Sequence, residues 1–231
     1  MSGVETIMDN PKLNKPKTLE IMRRVLESND QNALENRRRF DALGVLAINL
    51  MSSPGSGKTT LLEATAKSAA FRFAVIEGDM ETNRDADRLK KLGVNAYQIC
   101  TGSACHLEAD MVQHAMSQMS LDNLDVVFVE NVGNLVCPAS YELGTHINVV
   151  LLSTPEGDDK VMKYPVMFRT ADLVLITKSE LADIFDFNVN NVRKEVQRIK
   201  PAINTIALSA KTGEGFDEWL QFINNHLNSR M

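Results

Sequence analysis

The sequence predicts an α/β fold: a mostly parallel β-sheet flanked by helices, with a helical extension at the N-terminus. Two observations predict it. Short apolar runs rich in β-branched residues recur along the chain, and segments of helical period separate them, the alternation that βαβ units require. The 231 residues suffice for one substantial core. A hydrophobic fraction of 44%, a charged fraction of 24% and a net charge of −5 are ordinary for a globular protein and give no electrostatic footprint for nucleic acid. No apolar run approaches the ~18 residues of a membrane span, and the acidic start MSGVETIMDN lacks the basic and apolar regions of an export signal. A cytoplasmic protein that engages neither membrane nor nucleic acid is therefore expected, its three cysteines being free thiols or metal ligands.

Residues 1–16, with Pro11, Pro16 and scattered lysines, read as a flexible lead-in. From Thr18 to about Leu43, the positions Leu19, Met22, Val25, Leu26, Leu34 and Phe40 fit one or two amphipathic helices, interrupted at the cap-rich SNDQN. Arg37, Arg38 and Arg39 read as a solvated face of that extension. Residues 44–231 then form the main domain. Strands are expected at 45–51, 73–77, 95–100, 125–130, 147–153, 172–177 and 203–208, with helices at about 58–70, 82–92, 104–119, 188–200 and 215–228. Cys100, ending the third strand, reads as core.

Directly between the first strand and its helix stands SSPGSGKT, residues 52–59. This meets the pattern G-x-x-x-x-G-K-[ST] except that Ser52 replaces the first glycine. Gly55, Ser56 and Gly57 curl the backbone so that its N–H groups face a phosphate chain, and the helix start adds its positive dipole. Lys58 would reach the β and γ phosphates, the Thr59 hydroxyl would ligate magnesium, and Thr60 completes the cradle. A glycine turn with a chance lysine is the plain alternative, which the strand before and the helix after disfavour. The fold is thereby expected to be that of a P-loop NTPase.

Phosphoryl transfer also needs carboxylates near the metal. Glu130 ends the strand DVVFVE and is followed by NVGN with a flexible Gly133, so it reads as the acid paired with Thr59. The segment EGDMETNRDADR offers Asp79 and Asp85 for a first switch, against the alternative of an acidic helix start. The expected catalytic set is Lys58, Asp85 and Glu130, with Thr59, Asp85 and Glu130 on magnesium. At the base-reading position TKSE replaces the N-K-x-D of GTPases: Lys178 can lie over a purine and Glu180 can accept from the guanine edge, although Thr177 cannot donate as an amide would. Ser209, Ala210 and Lys211 resemble the segment that approaches the guanine carbonyl. Guanine is favoured over adenine.

TGSACHLEAD places Cys105 beside His106, and ENVGNLVCPA places Cys137 seven residues after Glu130. With a helix over 104–119, Cys105 and His106 lie at its N-terminus, where a thiol's pKa falls and metal binding is favoured, and Asp110 stands one turn on as a supporting carboxylate. A metal site, a thiol nucleophile with its base, and ordinary packing remain three readings of these residues.

SSPGSGKT, GDMETNRDADR, TGSACHLEAD, ENVGNLVCPA, EGDDKVMKYP and SAKTGEGF occur in that order, and over about residues 45–225 the chain resembles the HypB family of hydrogenase nickel-incorporation GTPases. ENVGNLVCP and TGxxCHLxA are the specific segments; the phosphate loop alone would fit urease accessory GTPases equally. The resemblance implies a P-loop GTPase that converts GTP to GDP and phosphate with magnesium. It implies a nickel site, able also to take zinc, made by Cys105, His106 and Cys137 and shared across a nucleotide-dependent homodimer. It further implies a HypA-type metallochaperone as partner and the hydrogenase large subunit as client. Lys163 in EGDDKVMKYP is then a contact made in trans. Two departures stand out: residues 1–44 contain neither Cys nor His, so no nickel-storage stretch is expected, and TKSE leaves discrimination against ATP open. The competing readings are a metal carrier for which nucleotide only sets conformation, a urease-accessory-type GTPase, and a small-molecule kinase, for which no acceptor signature is present.

Overall fold

The computed structural model describes residues 16–79 and 84–230. The expected lead-in therefore falls outside the described residues apart from Pro16, as does part of the first-switch segment, residues 80–83. All seven apolar runs form strands: β1 (Leu46–Ser52), β2 (Phe73–Asp79), β3 (Asn95–Cys100), β4 (Val126–Glu130), β5 (Ile147–Ser153), β6 (Leu173–Thr177) and β7 (Asn204–Ala207). They make one sheet in the order β3-β2-β4-β1-β5-β6-β7, and every pairing is parallel. Helices are α1 (Pro16–Ala42), α2 (Lys58–Ser68), α3 (Arg84–Lys91), α4 (Ala109–Gln118), the short α5 (Lys160–Lys163) and α6 (Pro165–Thr170), α7 (Val189–Ile199) and α8 (Phe216–Asn228).

The central strands are apolar on both faces because helices cover both, as parallel crossovers demand. Phe128 on β4 packs with Leu61, Leu62, Leu89 and Trp219. Its neighbours Val127 and Val129 point the other way, onto Phe40, Val112 and Met116. A further layer sets Val150, Leu152, Val174 and Ile176 under Phe168, Val192 and Val196. This arrangement aligns the carboxyl ends of β1, β2 and β4, where ligands of open parallel sheets bind.

Five sequence expectations need correction. SNDQN does not interrupt the extension: α1 is one continuous helix, and Asn29 within it is buried against distant backbone rather than capping a break. Its docking face also differs from the apolar stripe that periodicity suggested: Val25, Leu26 and Leu34 are exposed, while Phe40 is buried together with Asn29, Ala33 and Asn36. Of the arginine run Arg38 and Arg39 are exposed, Arg39 also donating to the Met116 carbonyl, whereas Arg37 is half-buried and donates to the Gly144 and Thr145 carbonyls. Finally, α4 starts at Ala109, not near 104. A turn closed by Ala104 N–H to Thr101 O precedes it, and the Leu107 N–H donates to Asn131 Oδ1 instead of entering a helix. Cys100 is exposed rather than core.

Gly144 reports how tightly α1 sits. It has φ +82°, and a Cβ there would lie 2.2 Å from the Ala33 carbonyl oxygen and 2.8 Å from Asn36 Cβ. Gly144→Ala is expected to cost about 1–3 kcal/mol from the left-handed backbone alone, with the clash added. Urea unfolding checks this, and a midpoint equal to that of the unaltered protein would contradict the packing described.

Candidate functional site

β1 ends at Ser52 and the chain turns through Gly55 and Gly57, both at positive φ, into α2. The loop is braced from three directions. Ser56 Oγ donates to Glu156 Oε1 at 2.6 Å, Thr177 Oγ1 donates to the Ser56 carbonyl at 2.7 Å, and Lys178 Nζ donates to the Gly55 carbonyl at 2.8 Å. Ser52, the departure from the pattern, takes a role of its own: its Oγ accepts from Lys58 Nζ at 3.0 Å, holding the lysine beneath the loop.

The loop opens onto a cleft of about 370 Å³ lined by Gly55, Gly57, Lys58, Thr59, Thr60, Glu77, Asp79, Asp85, Arg88, Glu130, Asn131, Gly133 and Lys178. Thr59 Oγ1 donates to Glu130 Oε1 at 3.1 Å, so the hydroxyl and the acid paired by sequence do meet. Asp85 sits at the start of α3, bound by Arg88, which also makes a two-pronged ion pair with Glu63. Gly133 packs against the loop, where a Cβ would come within 2.8 Å of Pro54 Cα. Glu77 was not foreseen: β2 and β4 pair it directly opposite Glu130. Both glutamates are buried, and one oxygen of each has no hydrogen-bond partner. Burial first, and then the neighbouring carboxylates, push the Glu77 carboxyl up to about 8; burial likewise raises Glu130 to about 7 despite Lys58 and Thr59. Unpaired buried oxygens aimed into an oxygen-lined cleft fit a hard divalent cation such as magnesium.

A smaller cavity of about 210 Å³ adjoins the loop, lined by Gly57, Thr60, Leu61, Thr177, Lys178, Glu180, Leu208, Ala210 and Lys211. It lies where the base of a bound nucleotide would be expected, and Glu180 Oε2 is buried there without a partner. Ser209 does not line it; its hydroxyl accepts from Thr212 N–H and shapes the loop that presents Ala210 and Lys211. Lys163 lies outside both cavities, exposed and ion-paired with Asp159.

On the other side of Glu130, Cys105, His106 and Cys137 converge, with one ligand atom from each lying within 4.8 Å of the others. Cys105 Sγ is 2.8 Å from Cys137 Sγ and 3.6 Å from His106 Nδ1. His106 Nε2 faces Glu108 Oε1 at 3.6 Å, and its ring stacks on Tyr141 with centroids 3.8 Å apart. The carboxylate facing the His106 ring is Glu108, beyond hydrogen-bond distance, and not Asp110, which accepts from the Met111 N–H. Because α4 starts at Ala109, Cys105 and His106 precede the helix and do not form its first turn. Burial lowers the His106 pKa against the pull of Glu108, whereas burial and the Cys105 thiol raise that of Cys137. Asn134 Oδ1 accepts from the Val136 and Cys137 N–H groups and orients the turn bearing the second thiol.

Residues 46–207 match the family "CobW/HypB/UreG, nucleotide-binding domain". The hydrogenase/urease maturation factor HypB of Helicobacter pylori is 47% identical over 223 residues, 95% of this chain and 92% of that protein. The chain belongs to the HypB family. The hydrogenase maturation factor HypB of Escherichia coli K12 is 44% identical, covering 92% of this chain and 74% of its own length. The crystal structure of H. pylori HypB in complex with nickel aligns over 87% of this chain and 96% of its own, with TM-score 0.86 and 47% identity. That of HypB from Archaeoglobus fulgidus aligns over 87% and 100%, with TM-score 0.82 and 37% identity. The fold is that of the P-loop NTPases, and among the described residues no helix is long and apolar enough to cross a membrane.

Within this HypB-family domain the sequence reading missed Glu77, Arg88, Glu108, Asn131, Tyr141 and Glu156. Glu77 had a signal, an acid ending an otherwise apolar strand, but its partner across the sheet is fixed only by strand order. The paired glutamates hold their protons more tightly folded than unfolded. Their stabilising contribution is therefore complete below the ordinary value of 4.5 and is lost as pH rises toward 8. In metal-free protein, Glu77→Gln should raise the melting temperature at pH 8, by about 2–4 °C for each kcal/mol relieved, with the gain fading by pH 5. Thermal melts at the two pH values decide; an equal shift at both would mean that the charge of Glu77 is not what is being relieved.

Proposed function

We propose that the protein is a GTPase metallochaperone that hydrolyses GTP to GDP and phosphate and couples that cycle to binding and handing on nickel. The observation that carries this reading is one continuous stretch. Glu130 to Gly133 line the phosphate cleft, and four residues later Cys137 meets Cys105 and His106. A change at the γ-phosphate therefore reaches a thiol through a few bonds of backbone.

The roles follow from position. The loop N–H groups and Lys58 would hold the phosphates, with Lys58 released from Ser52 to a stronger anionic partner. Thr59, Glu130 and Asp85 would hold magnesium, which when bound supplies positive charge against the developing charge of the transferred phosphoryl group. Lys178 flanks the base cavity, and Glu180 has an unpartnered buried oxygen for the guanine N–H edge. Nickel is cargo: two thiolates and an imidazole are donors that suit nickel in a planar arrangement and zinc in a tetrahedral one. Exposed Val136, Met162 and Val166 lie beside Cys137 and Lys163, which supports a face that closes on a second copy, with Lys163 reaching across. The named roles of the relatives support hydrogenase maturation, with a HypA-type metallochaperone as partner and the hydrogenase large subunit as the receiving protein. The H. pylori relative's name adds urease as a second client.

Nickel affinity measured by chelator competition, with and without a non-hydrolysable GTP analogue, tests the coupling. The analogue should change the affinity of the unaltered protein, and metal should change nucleotide affinity by the same factor. Cys137→Ala should bind nickel more than about 100-fold more weakly, beyond what outer-sphere changes cause, and lose the nucleotide effect. Equal affinities in all four samples would refute coupling through this cysteine. Lys58→Ala should slow hydrolysis by at least about 100-fold and abolish nickel transfer to an acceptor; transfer that survives would instead favour the carrier in which nucleotide only sets conformation.

A further inference from the structure

We infer that Asn29 and Asn36 of α1 are positioning residues of the metal site, two side-chain amides that each cross-link the segment bearing Cys105 and His106 to the segment bearing Cys137. Asn29 Oδ1 accepts from the Ala109 N–H at 2.9 Å while its Nδ2 donates to the Glu142 carbonyl at 2.8 Å. Asn36 Nδ2 donates to the Ala109 carbonyl at 2.7 Å and to the Leu143 carbonyl at 3.1 Å. Ala109 lies three residues after His106, and Glu142 follows Tyr141, the residue stacked on the His106 ring. No backbone hydrogen bond joins these two segments directly among the described residues, so the amides act beside the Cys105–Cys137 contact and the His106–Tyr141 stack in holding them together.

The composition of the docking face supports a positioning role over a purely stabilising one. The face buries two amides beside its apolar residues: Phe40 and Ala33 are buried, but so are Asn29 at 4% and Asn36 at 0% exposed, while Leu34 is 60% and Val25 45% exposed. Burying an amide gains little over water unless its bonds are made, and one oxygen here, Asn36 Oδ1, has no partner. What the amides add is direction. Each reads two specific carbonyl or N–H positions, as the outer groups around a metal's ligands do.

The inference rests on Cys105, His106 and Cys137 being the metal donors, so Cys137→Ala serves as the reference. Nickel affinity by chelator competition and the cobalt(II)–thiolate absorption band are measured on the full chain without nucleotide. Asn36→Ala and Asn29→Asp should each weaken nickel binding about 10- to 100-fold, shift the cobalt band without abolishing it, and leave metal-free GTP hydrolysis unchanged. Asn29→Asp is the sharper variant because it keeps the acceptor for the Ala109 N–H and loses only the donor to Glu142. A residue that merely caps α4 would tolerate it. Arg39→Ala, which loosens α1 from α4 through the Met116 carbonyl alone, should stay within about twofold of the unaltered protein on the same scale of outer-sphere effects. Should Asn36→Ala fail to fold, Asn29→Asp decides alone. Unaltered nickel affinity in Asn29→Asp while Cys137→Ala loses binding would overturn the inference; unaltered binding in Cys137→Ala would instead overturn the donor assignment beneath it.

Discussion

Asn131 is the residue through which the two halves of this molecule meet. Its N–H donates to the Leu50 carbonyl at the end of β1, and its side-chain oxygen accepts from Leu107 and Val132 N–H groups at 3.1 and 3.0 Å. Its side-chain nitrogen reaches Asn49 Oδ1 at 3.3 Å. The residue is buried, and a satisfied buried amide is costly to rearrange because any lost bond leaves a polar group away from water. Asn131 lines the phosphate cleft on one side and ties down the residue after His106 on the other. The position of Cys105 and His106 relative to β1 is thereby set from the phosphate side of the molecule, while α1 sets it from the far side.

The same strand ends impose an electrostatic burden. Parallel pairing of β2 with β4 sets Glu77 against Glu130, with Asp79 and Asp85 near enough to add to it. Like charges at this spacing, poorly solvated, keep protons that exposed carboxyls would lose. A divalent cation relieves the same repulsion. Folding therefore produces a site whose carboxylates are strained until positive charge arrives, and Lys58 alone does not offset them. The fold tolerates this because the apolar strands on both sides are buried against helices and the surrounding loops are tied by Ser52, Ser56 and Thr177.

The strands and most helices were legible in the sequence because burial on both faces writes itself as β-branched runs between helical periods. The phosphate loop and Glu130 were legible for the same reason: motif and flanking elements are contiguous. What escaped were facts of strand order and docking. Glu77 meets Glu130 only because β4 inserts between β2 and β1. The buried face of α1 mixes Phe40 and Ala33 with two asparagines, so hydrophobic periodicity found Phe40 but otherwise pointed to exposed Val25, Leu26 and Leu34. The helix expected from residue 104 fails because Leu107 N–H is taken by Asn131, a residue 24 positions away. The resemblance of TGSACHLEAD and ENVGNLVCPA to HypB segments put the triad forward before geometry did; spacing alone left a metal site, a thiol nucleophile and ordinary packing as open readings.

On the reading proposed here for the two sites, their donors do not overlap. The phosphate cleft offers oxygens, which suit magnesium, and the triad offers sulfur and imidazole, which suit nickel or zinc. An ion intended for one is a poor fit to the other, so what the sites share is a segment and not a ligand. That segment is held at both ends, by Asn131 at its start and by the α1 amides from Glu142 onward. Between them Leu135 and Pro138 are buried while Val136 is exposed, and Asn134 accepts from the Cys137 N–H. On that proposed reading, Cys137 is the donor carried by the segment that lines the phosphate cleft, and the coupling can be no larger than the difference Cys137 makes to metal affinity between the two nucleotide states.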